Sequence, residues 1–376
     1  MRTPVGRGHA EKGYYRETHA ADLLGRCFEA VLERTGVDAN QVDNVIAGCV
    51  FQIAEQSSGI TRGAWLQKGL PEATGATTVD TRCGSGQQAV NYAALKIAAS
   101  VDDLVVAGGV EHMGHVGFPV NEAAQKNWGR AFSDELLARY DLVPQGEGAE
   151  RIAERWDISR REMDELALRS HRLADAATEA GGFAREVLPF RTASETYVRD
   201  QGIRADTSLE QLEQLRPAFR RDGRVTAGNS SQISDGAAAL LLGSAEKAGE
   251  LGLRPRAKVV DQVTIGVDPV TILTGPIPAT EKILRRNGMT IDDIDIVEIN
   301  EAFAPVVIAW AREQKPDMDR VNPRGGAMAL GHPLGATGAR LTTSLLHELE
   351  DADKELGLVT MCCGGGIGTA TLIQRV

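Results

Sequence analysis

Two pairs of segments, far apart in the chain, repeat one pattern, and this internal duplication limits the possible folds more than any other feature. In the first pair, Gly36-Val37 precedes Val42-Asp43-Asn44-Val45, and Gly288-Met289 precedes Ile294-Asp295-Ile296-Val297, 252 residues later. In the second pair, residues 103–109 resemble residues 357–363 at an offset of 254. Two matches at nearly one offset predict two halves of similar structure.

Each half alternates helical and strand patterns, which favours layers of helices packed on sheets. Helices are predicted over residues 20–34 and 279–287, and each is followed by a short β-branched run. A glycine-rich turn then leads into a second predicted helix, over residues 87–99 in the first half and 339–349 in the second. The sequence therefore predicts an α/β fold in which both second helices begin at glycine-rich loops.

A polar segment of residues 111–234 lies between the halves and has no counterpart in the second half. Ser159 and Glu162 form a capping-box pattern, which predicts a helix over residues 163–180. Inserted segments on a rigid scaffold often carry binding residues. We expect this region to supply part of a ligand-binding surface.

The charge and hydropathy of the chain exclude several classes of protein. The formal net charge is −11, whereas nucleic-acid-binding proteins usually present a basic face. Neither a run of about 18 apolar residues nor an apolar leader within residues 1–10 is present. We therefore expect a cytoplasmic protein without nucleic-acid or membrane partners.

The chain has five cysteines and no C-x-x-C pair. This odd set, without suitable histidine spacing around it, argues against a disulfide scaffold or a metal site. Cys27 and Cys49 are interpreted as small buried hydrophobic residues. Cys83 precedes a Gly-Ser-Gly turn and a predicted helix, whose N-terminus would lower its pKa and make it a nucleophile, although a buried structural cysteine is the alternative.

Three further motifs carry groups suited to catalysis. His332, in the corresponding loop of the second half, could remove the Cys83 proton, although a turn residue is the alternative. Cys362 precedes a glycine run that includes Gly364, whose backbone N–H groups could bind an oxyanion. Asn300 follows a predicted strand and could orient a water or a carbonyl, whereas Glu301 is interpreted as a helix-capping charge.

These four motifs together, at Cys83, Asn300, Gly331 and Cys362, resemble those of the thiolase family, and the resemblance covers nearly the whole chain. They read C-x-S-G-x-x-A, N-E-A-F-A, G-H-P-x-G-x-x-G and C-x-G-G-G-x-G. The match looks nearest to degradative, actinobacterial-type 3-ketoacyl-CoA thiolases, some of which act on steroid side chains.

The resemblance implies a thiolase-like α/β fold, in which two duplicated βαβαβαββ halves form a five-layered αβαβα core with an inserted loop domain. The first half would comprise residues 1–112 and 234–255, the loop domain residues 113–233, and the second half residues 256–376. Family chains usually have a strand before the R-T-P-x-G motif, which starts here at Arg2. The first strand is therefore expected to be missing.

The resemblance also implies a role for each motif. Cys83 would carry the acyl group, His332 would activate it, and Cys362 would move a proton at the α-carbon of acetyl-CoA. Asn300, through a water, and His332 would form one oxyanion hole. The backbone N–H groups of Cys83 and Gly364 would form the second.

Coenzyme A is expected as a substrate, with no permanently bound cofactor. By resemblance, Ser231 would contact pantetheine, Arg204 would lie near the adenine and phosphates, and Phe303 would line the same region. Arg216, Arg220, Arg221 and Arg224 make the region basic, although a solvated charged face is the alternative. The resemblance further implies a homodimer or homotetramer.

The sequence departs from the short-chain pattern at Pro144-Gln145-Gly146, which favours a bulkier 3-ketoacyl group. Alternatives are a short-chain acetyl-CoA acetyltransferase and a non-catalytic thiolase-like lipid carrier, which would be expected to lack Cys83, His332 or Cys362. A ketoacyl synthase is disfavoured because the second catalytic position is a cysteine. We expect an acyltransferase that cleaves or forms a carbon–carbon bond beside a thioester.

Overall fold

The computed structural model describes residues 1–193 and 195–376. Its strands are β1 (Gly6–Arg7), β2 (Asn44–Gly48), β3 (Gly75–Val79), β4 (Leu104–His112), β5 (Phe190–Arg191), β6 (Thr196–Tyr197), β7 (Ser234–Gly243), β8 (Ala257–Gly266), β9 (Ile296–Ile299), β10 (Leu356–Cys363) and β11 (Ile367–Arg375). Its α-helices are α1 (Ala20–Thr35), α2 (Ile60–Gln67), α3 (Ser85–Ala98), α4 (Phe118–Trp128), α5 (Asp134–Arg139), α6 (Gln145–Arg155), α7 (Arg160–Glu179), α8 (Leu209–Glu213), α9 (Ala245–Glu250), α10 (Pro276–Arg286), α11 (Ala304–Gln314), α12 (Ala327–Leu330) and α13 (Leu334–Asp351). None of the helices in these two ranges combines the length and apolar character needed to cross a membrane.

Two mixed sheets form the framework, with strand orders β1-β7-β4-β2-β3 and β8-β11-β10-β9. In each sheet a central strand, β4 or β10, has a parallel neighbour on one side and an antiparallel neighbour on the other. Helices α3 and α13 pack together between the sheets, α1 and α2 cover the first sheet, and α10 and α11 cover the second. This five-layered αβαβα arrangement confirms the predicted fold class.

The two halves share a hydrogen-bond pattern that shows how their sequences are aligned. Asp43 Oδ2 accepts the N–H groups of Asp103 and Leu104 at 2.8 and 2.9 Å. Asp295 Oδ2 accepts the N–H groups of Leu356 and of the residue before it at 2.9 and 3.0 Å. The same offset of 252 residues therefore relates Asp43 to Asp295 and Leu104 to Leu356. The second sequence match, at an offset of 254, was wrong by two residues.

Most of the predicted helices are present with small changes at their ends. The structure has α1, α3 and α10 close to the predicted ranges, and α7 begins with the predicted capping box of Ser159 and Glu162. Helix α13 begins at Leu334, five residues before the prediction, immediately after Pro333. Proline has no backbone N–H, but the N–H groups at the start of a helix have no intrahelical acceptor in any case. Pro333 is therefore compatible with a helix that begins at Leu334.

Helices α3 and α13 approach each other through glycine. A Cβ atom added at Gly86 of α3 would lie 2.6 Å from Gly335 O, and one added at Gly338 would lie 2.2 Å from the backbone N of Gln87. Both distances are far below van der Waals contact, so only glycine allows this separation. Because Cys83 and His332 each lie three residues before a glycine of this crossing, the contact brings their loops together.

The first residues of the chain lie at the edge of the first sheet. Thr3 N–H donates to Ala237 O of β7 at 2.9 Å, and the buried Arg2 guanidinium pairs with Glu186 and Asp200, each at 2.6 Å. Both acidic partners belong to the inserted segment, so these ion pairs tie it to the first half. The expected absence of a preceding strand stays a prediction, as do the domain boundaries.

We predict that Gly335→Ala destabilises the fold. The added Cβ would lie 2.4 Å from Val110 O and 2.7 Å from Gly48 O, and neither carbonyl can move without disturbing its strand. The expected loss is about 1–3 kcal/mol or more, measured by urea unfolding followed by circular dichroism. The matched control is Gly63→Ala in α2, where a Cβ meets nothing within 4 Å and should stabilise the helix by up to about 1 kcal/mol. Equal midpoints for the two variants would contradict the packing argument.

Candidate active site

Cys83 lies in a tight turn between β3 and α3. The preceding residue, Arg82, has φ 53°, a left-handed conformation that is unfavourable for a side chain of this size. Hydrogen bonds hold this turn: Asp80 accepts the Arg82 N–H at 2.7 Å, and Ser85 Oγ donates to Arg82 O at 2.5 Å. The Cys83 side chain is 2% exposed. The nucleophile candidate is therefore held rigidly in a dry environment.

The electrostatic surroundings of the Cys83 thiol differ from those expected. Burial raises its pKa to about 11, whereas hydrogen bonds from the backbone N–H groups of Gly364 and of Cys83 itself act in the opposite direction. The sequence prediction of a lowered pKa was wrong, because desolvation of the thiolate outweighs the favourable amides. The thiol is protonated at neutral pH and needs a base to become a nucleophile.

His332 precedes α13 and is held at three atoms. Its backbone N–H donates to Ser234 Oγ at 3.0 Å. In the ring, Nδ1 lies 2.6 Å from Thr337 Oγ1, and Nε2 lies 3.3 Å from Asn300 Nδ2. Thr337 donates its single hydroxyl hydrogen to Pro333 O at 2.8 Å, so it accepts a hydrogen from Nδ1. The hydrogen bonds therefore assign the Nδ1–H tautomer and leave the Nε2 lone pair as a base.

The charge state of His332 agrees with this assignment. Burial, followed by the positive charge of Arg340, lowers its pKa to about 3. The imidazole is therefore neutral at physiological pH. Because the close contact of Gly86 with Gly335 brings the two loops together, the neutral imidazole of His332 is available to accept the Cys83 proton when substrate is attacked.

Asn300 and Glu301 follow β9, at the edge where His332 lies. The Asn300 side chain is buried, and its Oδ1 has no hydrogen-bond partner within the described ranges. A buried amide oxygen of this kind suits a water or a substrate group. Glu301 does not cap α11, the helix that follows it, but its carboxylate accepts the Met328 N–H in the first turn of α12 at 3.2 Å, so the expected helix-capping role is met at a different helix. Its buried carboxylate accepts hydrogen bonds from Ser170 and Asn322 at 2.6 and 2.9 Å and fixes the neighbouring loops.

Cys362 and Cys363 end β10, where consecutive side chains point to opposite faces. The Cys363 sulfur is hydrogen-bonded to the Thr369 side chain and to the Gly84 backbone. Among the residues that the structure describes, the Cys362 sulfur has a hydrogen bond only from its own backbone N–H, and burial, followed by any negative charge on Cys83, raises its pKa. Cys362 is therefore the less constrained thiol beside Cys83, as the family motif suggests.

The buried Glu111 is an organising residue that the sequence analysis missed. Its carboxylate accepts the N–H groups of Val50, Phe51 and Gly335 at 3.0, 3.0 and 2.8 Å, and the Gln56 side-chain amide at 2.9 Å. It thereby joins a loop of the first half to the start of α13. The sequence feature that could have identified Glu111 is its position as a charged residue near the end of the apolar strand β4.

The proposed pantetheine segment lies against the N-E-A-F-A loop. Ser231 N–H donates to Ala302 O at 2.9 Å, and Ser230 forms a β-bridge with Phe303. Ser231 and Phe303 are both half-buried, and the Phe303 ring meets Phe219 edge-on with centroids 5.8 Å apart. Two predicted contact residues therefore lie on adjacent segments beside Asn300.

The arginines of this region differ in their availability. Arg220 forms ion pairs with Glu147 and Glu154, and Arg224 donates to Ile158 O, so both are structural. Arg204 is exposed, and within residues 1–193 and 195–376 its guanidinium has neither an ion pair nor a hydrogen bond. Arg204 is therefore an available cation, as a phosphate contact requires.

Comparisons with known proteins agree with this geometry. The family described as "Thiolase, N-terminal domain" matches residues 1–246, and "Thiolase, C-terminal domain" matches residues 253–375. The steroid 3-ketoacyl-CoA thiolase FadA6 of Mycobacterium tuberculosis is 45% identical over 391 residues, covering 100% of this chain and 93% of the relative. The 3-ketoacyl-CoA thiolase of Idiomarina loihiensis is 43% identical over 391 residues, covering 100% and 98%. Among solved structures, the Bacillus anthracis acetyl-CoA acetyltransferase matches with a TM-score of 0.91 and 38% identity, covering 100% of this chain and 97% of that one.

We predict that Thr337→Val slows acylation of Cys83 while Thr337→Ser does not. Valine removes the acceptor for Nδ1–H, so His332 loses the tautomer that presents Nε2 as a base. We expect a loss of about 10- to 100-fold in single-turnover acylation, below the 10²–10⁴-fold typical of losing the base itself. Rapid-quench measurement with an acyl-CoA gives the rate, and matching melting temperatures show that the fold is intact. Wild-type rates in Thr337→Val would contradict the tautomer assignment.

Proposed function

Because this chain belongs to the thiolase family and is an acyltransferase, we propose that it uses coenzyme A to cleave a 3-ketoacyl-CoA, or runs the reverse condensation, through acyl-Cys83. Cleavage would give acetyl-CoA and a shortened acyl-CoA. One observation carries the proposal. The Cys83 sulfur accepts the backbone N–H of Gly364, from the loop that follows Cys362, and a negative charge on Cys83 would raise the pKa of Cys362. A nucleophile, a second thiol and oxyanion donors thus share one buried site.

In the first half-reaction, His332 Nε2 takes the Cys83 proton and the sulfur attacks the 3-keto carbon. The N–H groups of Cys83 and Gly364 stabilise the oxyanion that forms there. The bond between C2 and C3 then breaks, its electron pair stays on C2, and Cys362 donates a proton to C2. Acetyl-CoA leaves, and the shortened acyl group remains on Cys83.

In the second half-reaction, the Cys362 thiolate removes the proton from the thiol of a new coenzyme A. That sulfur attacks the acyl group, and Cys83 leaves and recovers its proton from His332. Once protonated, Nε2 is a donor, so His332 can act with Asn300 on the oxygen of the acetyl thioester. The unpaired, buried Oδ1 of Asn300 supports a water-mediated contact at this place.

For coenzyme A binding, we propose a phosphate or adenine contact at Arg204 and pantetheine contacts at Ser231 and Phe303. The free guanidinium of Arg204 and the half-buried positions of the other two support these roles. We propose no permanently bound cofactor. The cytoplasmic location and the homodimeric or homotetrameric state stay predictions.

For the substrate, we propose a 3-ketoacyl-CoA with an acyl group larger than acetoacetyl, from fatty acid β-oxidation or steroid degradation. The Gln145 amide lies 2.8 Å from the position a Cβ would take at Gly364, so the departure from the short-chain pattern borders the oxyanion site. The steroid thiolase of M. tuberculosis supports a bulky acyl group. The match to an acetyl-CoA acetyltransferase supports a short-chain substrate as the second candidate. A non-catalytic carrier is disfavoured because Cys83, His332 and Cys362 are all present.

We predict that the two thiols separate the two kinds of chemistry. Cys83→Ala should abolish acyl transfer from a simple acyl-CoA. Cys362→Ala should retain acyl transfer but lose exchange of the acetyl-CoA α-hydrogens by about 10²–10⁴-fold, because no thiolate remains to move that proton. Mass spectrometry follows the acyl-enzyme, and deuterium exchange follows the α-hydrogens. Cys363→Ala is the matched control, since the Cys363 sulfur is hydrogen-bonded to the Thr369 side chain. Exchange that survives in Cys362→Ala and disappears in Cys363→Ala would overturn the assignment.

We predict that Arg204→Ala raises the KM for coenzyme A by about 10- to 100-fold, as expected for one charge-assisted hydrogen bond. The kcat should change by less than about twofold, because the contact is remote from the reacting atoms. Arg254→Ala is the control, since Arg254 is an exposed arginine outside the inserted segment, in the loop between α9 and β8. An equal fall in kcat and in coenzyme A affinity would contradict the assignment.

A further inference from the structure

A cluster of two histidines and two carboxylates lies where β4 and β7 meet, and the proposed reaction does not use it. His112 ends β4, His115 follows it, Asp235 lies in β7, and Glu55 comes from the short turn before α2. The ligand atoms of Glu55, His112 and His115 all lie within 4.8 Å of one another. The two imidazole rings are stacked, with centroids 3.8 Å apart.

Both histidines use the same ring nitrogen to hold their orientation. His112 Nε2 lies 3.0 Å from Tyr15 O, and His115 Nε2 lies 2.8 Å from Arg16 O. A carbonyl accepts a hydrogen, so each ring carries its hydrogen on Nε2 and presents Nδ1 to the cluster. Metal-binding histidines are oriented in this way, by donating the second nitrogen's hydrogen to a backbone carbonyl.

The carboxylates face these Nδ1 atoms. Glu55 Oε1 lies 3.0 Å from His115 Nδ1, and Asp235 Oδ1 lies 3.3 Å from His112 Nδ1. Ligand atoms on a tetrahedral zinc ion are separated by about 3.3 Å. These two pairs therefore have the spacing of zinc ligands, and movement of the side chains would close the wider group around a small divalent cation.

Asp235 supplies the independent observation that favours a ligand. Its side chain is 1% exposed, and although Oδ1 accepts the Gly114 N–H at 2.7 Å, Oδ2 is buried and has no hydrogen-bond partner within the described ranges. A buried carboxylate oxygen without a donor is costly unless a cation or a proton satisfies it.

We propose that Glu55, His112 and His115 bind one divalent transition-metal cation of the zinc and cobalt class, and that the Asp235 carboxylate beside His112 turns to complete the site. Two carboxylates and two neutral imidazoles form a ligand set that suits these ions. Glu55 and His115 are partly exposed, which opens a path from solvent. The cation must displace two contacts, the 3.2 Å hydrogen bond from His115 N–H to His112 Nδ1 and the 3.0 Å hydrogen bond between His115 Nδ1 and Glu55 Oε1. The expectation of no metal site considered the cysteines and the spacing of histidines around them.

The position of this site links it to the catalytic loops. His112 follows Glu111, which holds Gly335, and Asp235 follows Ser234, which holds His332. A bound cation would join β4, β7 and the Glu55 turn directly behind these contacts. It therefore raises the thermal stability of the active-site framework without touching a reacting atom.

The test is titration of the metal-free, reduced full-length protein with cobalt(II) at mildly alkaline pH. We expect one equivalent to bind with weak d–d absorption and without thiolate-to-metal charge transfer, and to raise the melting temperature. His115→Gln and, separately, Glu55→Gln should weaken binding by at least about 100-fold, since even residues behind a metal ligand change affinity 10- to 100-fold. His9→Gln is the control, because His9 is an exposed histidine that contacts only nearby backbone.

Three outcomes would overturn the proposal. The first is no cobalt(II) binding tighter than the weak binding expected of exposed surface histidines such as His9. The second is binding that persists in both His115→Gln and Glu55→Gln. The third is a thiolate charge-transfer band that disappears in Cys83→Ala, which would place the metal in the active site. The spectrum and melting temperature are independent of turnover, so failure here is distinguishable from failure of the proposed function.

Discussion

The contact between α3 and α13 is the constraint on which the remaining structure depends. At Gly86, Gly335 and Gly338 the helices meet backbone to backbone, so their separation is set by main-chain van der Waals contact. Both helices are the central layer between the two sheets, and each begins at a loop with a catalytic candidate. The separation of the Cys83 and His332 loops is thus set by a backbone-to-backbone contact between two helices. Flexible surface loops have no part in it.

Buried carboxylates fix the loops around this crossing. Glu111 satisfies four donors from three segments, and Glu301 holds the loops on the other side of the site. A buried carboxylate is unfavourable on its own, but hydrogen bonds from fixed amides offset its desolvation. The carboxylates therefore stabilise one arrangement of the loops, because any other arrangement leaves the buried oxygens without donors.

Burial of the site also determines which of the two candidate residues, Cys83 or His332, carries the proton before substrate binds. Burial raises the pKa of Cys83 to about 11 and lowers the pKa of His332 to about 3, so the resting pair is a neutral thiol and a neutral imidazole. A thiolate–imidazolium pair would bring two charges into the apolar site before substrate arrives. The protonated thiol is also less reactive toward oxidants and alkylating agents. In the proposed reaction, charge separation is thus coupled to the attack on the 3-keto carbon, where the amides of Cys83 and Gly364 would act as donors.

The sequence by itself determined the fold class, the family and the identity of the chemical groups. The motifs around Cys83, Asn300, His332 and Cys362 are contiguous stretches, and the duplication is visible as a repeat along the chain. Only the tertiary structure decided the aligned offset of the repeat, the raised pKa of Cys83 and the roles of Glu111 and Glu301. It also showed that Arg204 is free while Arg220 is paired, and it brought Glu55 and Asp235 to His112 and His115. Each of these depends on burial or on partners distant in the sequence, and local patterns contain no information about either.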